Sequence, residues 1–347
     1  MTQTPPHLRV VAIGGGTGLS TLLRGLKRYV PAPSTANPQS DPAYKDLPCL
    51  IRDLSAIVTV TDDGGSSGRL REDLNILPPG DLRNCLVALS EDEHLLSQLF
   101  QYRFSQGKLD GHSFGNLFLA ALAGITGDFA QAVQVSSHIL ATRGHIYPCT
   151  TANATLSARM DDGSIVAGET NITASKRSIL ELMLSPADAQ PVPETLDAIA
   201  SADLITLGPG SLYTSLITNL LVRGIPEALA NSSATRIYVC NLMTQANESL
   251  GLTASQHIEK ILDHAGAQIF DYAIINTAPI RPSTLAQYAR FDQLPIEPDL
   301  DRIRSLGVEP ITGNFVHEGE VLRHSYDHVA ETILKLALSR APAALTY

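Results

Sequence analysis

Apolar residues fill positions 8–13 almost without a break, then return at Leu19, Leu22, Leu23 and Leu26. The first run has the length of a buried strand, and the second has the three-and-four spacing of one helix face. Between them stands Gly14-Gly15-Gly16-Thr17-Gly18, so the chain opens as strand, glycine turn, helix. Residues 31–53 carry Pro31, Pro33, Pro38, Pro42 and Pro48 among Ser, Asn and Asp, a mixture hostile to helix, and read as a surface insertion. A β-rich run at 56–61 follows and leads into TDDGGSSGRL; after it, PPGDLRNCLVALS predicts a helix with Asp81 as its N-cap.

Helical spacing then dominates residues 92–142, through Leu95, Leu96, Leu99 and Phe100 and the stretches 117–122 and 129–140, which predicts a helical layer. The texture changes to alternation over 146–169, a β excursion with Asp162 and Gly163 at a hairpin tip. A second α/β half follows: strand 203–207, a GPGS turn, helix 212–221, strand 236–240, a polar loop 241–249, helix 254–263 and strand 272–275. Residues 321–338 hold a short strand and a helix with Val329, Ile333, Leu336 and Ala337 on one face.

Strands alternating with helices predict an α/β, Rossmann-like fold. Its mostly parallel sheet is covered by helices on both faces, with the helical layer and the small β excursion added. The 347 residues suit one elaborated domain that includes the 31–53 insertion and the 146–169 excursion. Ligands of such sheets bind outside the carboxyl ends of the strands.

With 35 acidic against 25 basic residues and no basic run, the chain does not read as a nucleic-acid binder. It has no Trp and 5% aromatics, which leaves little for base-stacking platforms. Cys49, Cys85, Cys149 and Cys240 lie far apart with no CxxC pair, which fits reduced thiols in a cytosol. The N-terminus lacks a signal pattern, and the longest apolar run, near 117–125, is far short of the roughly 20 residues of a membrane span. A cytoplasmic protein without a membrane span is expected.

An acidic chain can still hold a small anion through backbone amides and a few arginines. The turn from Gly14 to Gly18 lets N–H groups approach a diphosphate at a positive helix end, and Thr17 adds a hydroxyl. It is not a dinucleotide fingerprint, since Leu19 stands where the third glycine would be, nor a P-loop, since GK[ST] is missing. Gly208-Pro209-Gly210-Ser211-Leu212-Tyr213 repeats the same grammar in the second half, with Thr214 and Ser215 as further donors, and predicts a second anion-binding helix start. Asn241, Met243, Thr244 and Gln245, after the next strand, are placed to read a base or sugar.

Asp62 and Asp63, followed by Gly64, should face the same crevice, where they could accept hydroxyls, act as base or hold a divalent cation. Arg69, Arg71 and Arg323 would supply positive potential. The second Asp-Asp-Gly, at 161–163, needs only turn chemistry. Gly111-His112-Ser113-Phe114-Gly115-Asn116 opens another helix; His112 is either a proton shuttle or phosphate ligand, with Asn116 beside it, or a surface histidine before a Ser-capped helix. His324 and His328, without HExxH, read as the polar side of the last helix.

Taken together, VVAIGGGTGLSTLLRGLK, IVTVTDDGGSSGRLRE, PPGDLRNCLVALSE, GHSFGNL, ITGDFA, LGPGSLYTSL, CNLMTQANES and VLRHS closely resemble the YvcK-type gluconeogenesis factor family of the CofD-like (2-phospho-L-lactate transferase) superfamily. The resemblance implies a regulatory protein that binds a nucleotide sugar such as UDP-GlcNAc. It also implies support of cell shape and of growth on gluconeogenic carbon. A regulatory protein partner is expected beside the nucleotide ligand, and self-association into a homo-oligomer is left open. Residues 14–19 and 208–213 would then hold the diphosphate, residues 241–245 the base or sugar, and Arg323 would add a contact. The transferase branch binds a nucleoside diphosphate with a divalent cation such as Mg and uses an aspartate that Asp62 or Asp63 matches. This chain departs from that branch after Asp63, where GGSSGRLRED follows, and it has no evident flavin-stacking aromatic.

Overall fold

The structure, a computed structural model, describes residues 7–31, 49–91, 95–175, 177–246 and 248–340. Seven parallel strands form the main sheet: β1 (Leu8–Gly14), β2 (Ile51–Val58), β3 (His145–Pro148), and then, beyond a small sheet, β7 (Leu204–Leu207), β8 (Thr235–Val239), β9 (Tyr272–Asn276) and β10 (Glu309–Gly313). Their spatial order is β10-β9-β8-β7-β1-β2-β3. The sheet is the expected Rossmann-like α/β layer. Its central strands are buried along nearly their whole length, which explains why β1 and β7 read as continuous apolar runs rather than as alternation.

The chain leaves β1 toward β2 and β3 on one side, then returns to lay β7 against the other side of β1. Strand order therefore reverses between β1 and β7. The loops that follow these two strands must part there, and the gap opens a crevice at the carboxyl edge of the sheet.

Helix α1 (Gly16–Lys27) buries Leu19, Leu22, Leu23 and Leu26, the four residues whose spacing predicted it. At ~1.5–3 kcal/mol for each fully buried leucine, this stripe anchors the helix, and with it the glycine turn that precedes it. Helices α2 (Gly65–Leu74) and α3 (Gly80–Leu89) follow β2. Leu95–Gln101, Phe114–Thr126 and Phe129–Ile139 make the predicted helical layer.

The insertion is shorter than its composition suggested. Its residues 32–48 lie outside the described residues, but Ile51, Arg52 and Asp53 already belong to β2, whose pairing with β1 starts there. Asp81 is in the first turn of α3, and Pro79 takes the N-cap position. The β excursion is a three-stranded antiparallel sheet of β4 (Thr155–Met160), β5 (Ile165–Ala167) and β6 (Ile179–Ser185), whereas Ile146 sits in β3 of the main sheet. At the β4–β5 turn, Asp162 Oδ1 accepts from the Ser164 amide at 3.0 Å and Gly163 has φ +83°, the turn chemistry expected. The last hairpin pairs β11 (Val316–Glu318) with β12 (Leu322–His324), ahead of the helix Tyr326–Arg340. His324 is therefore a strand residue and not part of the last helix. Among the described residues no helix is long and apolar enough to cross a membrane.

Candidate functional site

A cleft of about 350 Å³ lies at the strand reversal. Gly15, Gly16, Thr17 and Gly18, after β1, form one wall, and Pro209, Gly210, Ser211 and Ser215, after β7, form the facing one. The walls approach so closely that a Cβ on Gly18 would stand 2.2 Å from the Pro209 carbonyl oxygen. Asn241, Met243, Thr244 and Gln245 close the end beyond β8, and Leu322, Arg323 and His324 of the terminal hairpin form the rim with Tyr288 and Gln293. Most of the residues singled out in the sequence thus meet in one place.

The Gly15 cap position of α1 makes no side-chain cap hydrogen bond, and Gly15, Gly16, Thr17 and Gly18 line the cleft wall with the Asp81 carboxyl beneath them. A helix start of this kind favours an anion, through unpaired N–H groups and the axial dipole. Arg323 is exposed at the rim and has no ion-pair partner among the described residues. These are the two sources of positive potential in the cleft.

The second helix start differs from expectation. Glu248 Oε1 accepts from the amides of Tyr213 at 2.9 Å and Thr214 at 3.0 Å. The anion at this helix start is supplied by the protein itself. Burial raises the Glu248 pKa, while hydrogen bonds from the Thr214 and Tyr213 amides and the Thr214 and Ser211 hydroxyls oppose the rise. Leu212 and Tyr213 are buried, the Tyr213 hydroxyl donating to the Ile179 carbonyl at 3.3 Å, so neither reaches the cleft. Leu19 is likewise core. Gly14 is buried in β1, its carbonyl accepting from the Thr59 amide at 3.0 Å, and Gly208 supports the second turn with φ +83°.

Beyond β8 the loop side chains divide in role. Asn241 exchanges two hydrogen bonds with the Gly210 peptide, and Thr244 exchanges two with Leu294. Met243 is bridged to Pro295. These three shape the cleft; Gln245, also in its lining, donates through Nε2 to Ser211 Oγ at 2.9 Å.

The carboxylates form a separate group beneath the first turn. Asp62 Oδ1 accepts from the Gly64 amide at 2.9 Å. Asp63 is turned away: its Oδ1 accepts from the Thr170 amide at 2.8 Å and hydroxyl at 2.6 Å, docking the helix Glu169–Ala174. Asp81, unnoticed as a site residue in the sequence, lies so close under the turn that a Cβ on Gly15 would meet its Oδ2 at 2.7 Å. Burial and then the Asp62 charge raise Asp81 to about 6, against the backbone of Gly16 and Arg83. Glu169 is pushed up to about 9 by burial first, then by Asp62, Asp81, Glu248 and Asp63. Such perturbed groups beside a cleft mark functional ground.

Magnesium is commonly held by one or two carboxylates plus ligand phosphates. Asp63 is occupied by Thr170, and Asp62, whose Oδ1 takes the Gly64 amide, lies outside the lining of the cleft with its Oδ2 toward Gly80. No three His, Cys, Asp or Glu side chains among the described residues group to cage a metal by themselves.

The remaining candidates take structural places. Ser113 caps the helix Phe114–Thr126 by accepting from the Asn116 amide, as one sequence reading had it, but His112 is buried rather than at the surface. His112 Nδ1 and Asn116 Nδ2 both bond Ser66 Oγ, at 3.0 and 3.2 Å. Burial, then Arg69, lowers the His112 pKa. Arg69 donates to the Asp110 carbonyl, and Arg71 to Asn153, Ala154 and Thr155, which ties α2 to the small sheet; neither lines the cleft. His324 Nε2 donates to the Cys240 carbonyl oxygen at 3.0 Å, so Nε2 carries the proton of the neutral ring, and burial holds this imidazole at about 4. Tyr288 and Gln293 left no trace in the sequence, because they reach the cleft from a segment with no motif of its own.

Comparison with known proteins agrees with this architecture. The family profile described as 2-phospho-L-lactate transferase CofD matches residues 10–316. A protein of Halalkalibacterium halodurans named Gluconeogenesis factor is 47% identical over 328 residues, covering 94% of this chain and 95% of that one. The Gluconeogenesis factor of Bacillus subtilis is 42% identical over 338 residues, covering 97% and 99%. A crystal structure of a member of the UPF0052 family from Bacillus halodurans superposes with a TM-score of 0.87 at 46% identity, covering 95% of this chain and 99% of that one. With the profile matching residues 10–316 and relatives similar over at least 94% of the chain, this chain belongs to the CofD family, among members named gluconeogenesis factor.

Proposed function

We propose that the protein is a cytoplasmic regulatory factor that binds a nucleotide sugar in the cleft at the strand reversal. It passes that signal to a protein partner in support of gluconeogenic growth, cell shape and cell-wall precursor balance. The observation that carries the ligand class is the uncapped α1 start facing Ser211, Gln245 and Arg323 across one cleft. Backbone amides and Arg323 suit a diphosphate, and the amide and hydroxyl side chains suit a sugar and base. The names of the relatives support the gluconeogenic part. Calorimetric titration of the full chain with UDP-GlcNAc, UDP-glucuronate, GDP and NAD tests the reading. Binding of a UDP-sugar is expected, and no binding of either UDP-sugar overturns it.

One observation favours a second reading, a Mg-dependent transfer of a phospholactyl or phosphoryl group from a nucleotide diphosphate donor. Asp62, Asp81 and Glu169 cluster beneath the diphosphate wall, with Glu169 protonated at neutral pH. There Asp62 would share a cation with the phosphates, while charge neutralisation and positioning carry the rate. Turnover of an activated phospholactate or nucleotide sugar by purified protein with Mg, lost in Asp62→Asn, supports it. Absence of turnover removes it.

A further inference from the structure

Arg83, in α3, is half-buried, and no carboxylate among the described residues comes within ion-pair distance of it. A guanidinium taken out of water ordinarily has such a partner. Its Nη2 donates to Asn84 Oδ1 at 2.7 Å, and its Nε is buried without a partner. Nη1 makes no hydrogen bond either, but unlike Nε it keeps accessible surface.

Two exposed arginines stand beside it in the same condition. Arg69 of α2 donates through Nη2 to the Asp110 carbonyl at 2.8 Å, and Arg103 donates through Nη1 to the next carbonyl, that of Gly111. Each is held by one corner, and neither forms an ion pair among the described residues. Gly111, with φ +78°, lets the loop come so close that a Cβ there would stand 2.9 Å from Arg69 Nη2. Arg103 is bridged through its backbone to Ser113, two residues before Gly115, whose Cβ would stand 2.8 Å from Arg83 Cδ. The charges feel one another: burial and then Arg103 lower the Arg83 pKa, and burial, then Arg69 and Arg103, lower that of His112 against Asp73. Asp62 and Asp81 attract Arg83 without reaching it.

We propose that Arg69, Arg83 and Arg103 form an anion site for a doubly charged phosphate group, separate from the cleft at the strand reversal. None of the three lines that cleft. Like charges gathered without a counter-ion repel one another, and an incoming anion offsets that repulsion. Guanidiniums hold their charge at any working pH and present a planar fork of donors that matches phosphate oxygens. A terminal phosphate carries close to two negative charges near neutral pH and offers three acceptor oxygens, so a single group engages three arginines; a carboxylate brings one charge and two oxygens. Free phosphate and a phosphorylated metabolite share this chemistry. The site stands whether or not the cleft binds a nucleotide.

Calorimetric titration of the full chain with inorganic phosphate and with glucose 6-phosphate, at pH 7.5 and ionic strength held constant with chloride, decides it. Saturable binding is expected. Tighter binding of the ester assigns the site to a phosphorylated metabolite, and equal or weaker binding of the ester assigns it to free phosphate. Arg83→Met should weaken binding about tenfold or more, the range for a lost hydrogen bond to a charged group. Arg103→Gln should weaken it about tenfold, more at low salt than at high; because Arg103 is exposed, this variant also serves if Arg83→Met fails to fold. No saturable binding of either probe, or affinity unchanged in both variants, overturns the assignment. Phosphate binding that is lost in Arg323→Ala but kept in Arg83→Met and Arg103→Gln puts the anion in the cleft instead, and overturns it as well.

Discussion

The Asn241 carboxamide straddles the Gly210 peptide: its Nδ2 donates to the Gly210 carbonyl at 2.8 Å and its Oδ1 accepts from the Gly210 amide at 3.3 Å. A loop after β8 thereby fixes the glycine turn after β7. Asn241→Ala should lower stability by about 1–3 kcal/mol, roughly one net hydrogen bond or two, and weaken UDP-sugar binding. Thermal melts with and without ligand check both effects. Unchanged affinity in a folded Asn241→Ala protein would show that the turn holds its shape without the clamp.

Arg323 is placed at the rim by the β11–β12 hairpin, where Tyr288 Oη accepts from the Leu322 amide at 3.0 Å. Arg323→Ala should reduce affinity for a nucleotide sugar by about 10- to 100-fold, the range for a lost hydrogen bond to a charged group. Its effect should shrink with added salt, and thermal stability should hardly change, because the side chain is exposed.

Gly18 has no room for a side chain, since a Cβ would sit 2.2 Å from the Pro209 carbonyl oxygen and 2.6 Å from its carbon. Gly18→Ala must push the two walls apart. The expected result is a loss of about 1–3 kcal/mol in stability together with loss of ligand binding, read by denaturant melts and calorimetry. Gly124→Ala, at a position with open space around it, is the control.

Asp81, raised to about 6, lies under the amides proposed to hold the diphosphate. Below pH 6 the ligand meets a neutral acid there, and above it a carboxylate. Affinity should fall as pH rises through about 6, and Asp81→Asn should flatten that part of the profile. Dissociation constants at pH 5, 6 and 7.5 provide the measurement.

Glu169, at about 9 against an ordinary 4.5, binds its proton more tightly when folded. Its contribution to stability is fully present below pH 4.5 and is lost as pH rises through 9. The melting temperature should decline between pH 7 and 9.5, and Glu169→Gln, which keeps the neutral shape, should blunt the decline. A parallel decline in both proteins would assign it to other groups.

Much of this architecture was legible in the residues. Leu19, Leu22, Leu23 and Leu26 announced α1, and the glycines on either side of Thr17 announced the turn that feeds it, because period and backbone freedom are local properties. The strand at 51–58 was harder to see: its first residues follow a proline-rich stretch, and only pairing with β1 makes them strand. At Asp62-Asp63 the sequence offered two equal carboxylates, and the fold separated them by giving Asp63 to Thr170.

The sequence by itself determined that two strand–glycine–helix units exist and that their turns can approach an anion. Only the tertiary structure decided that strand order reverses between them, that Glu248 already fills the second helix start, and that Asp81 lies beneath the first. The physical reason is range. Backbone conformation and hydrophobic period are set by neighbours a few residues apart, whereas the state of a carboxylate such as Glu169 depends on burial and on charges brought from Asp62, Asp81 and Glu248, distant in the chain and close only once the sheet has closed.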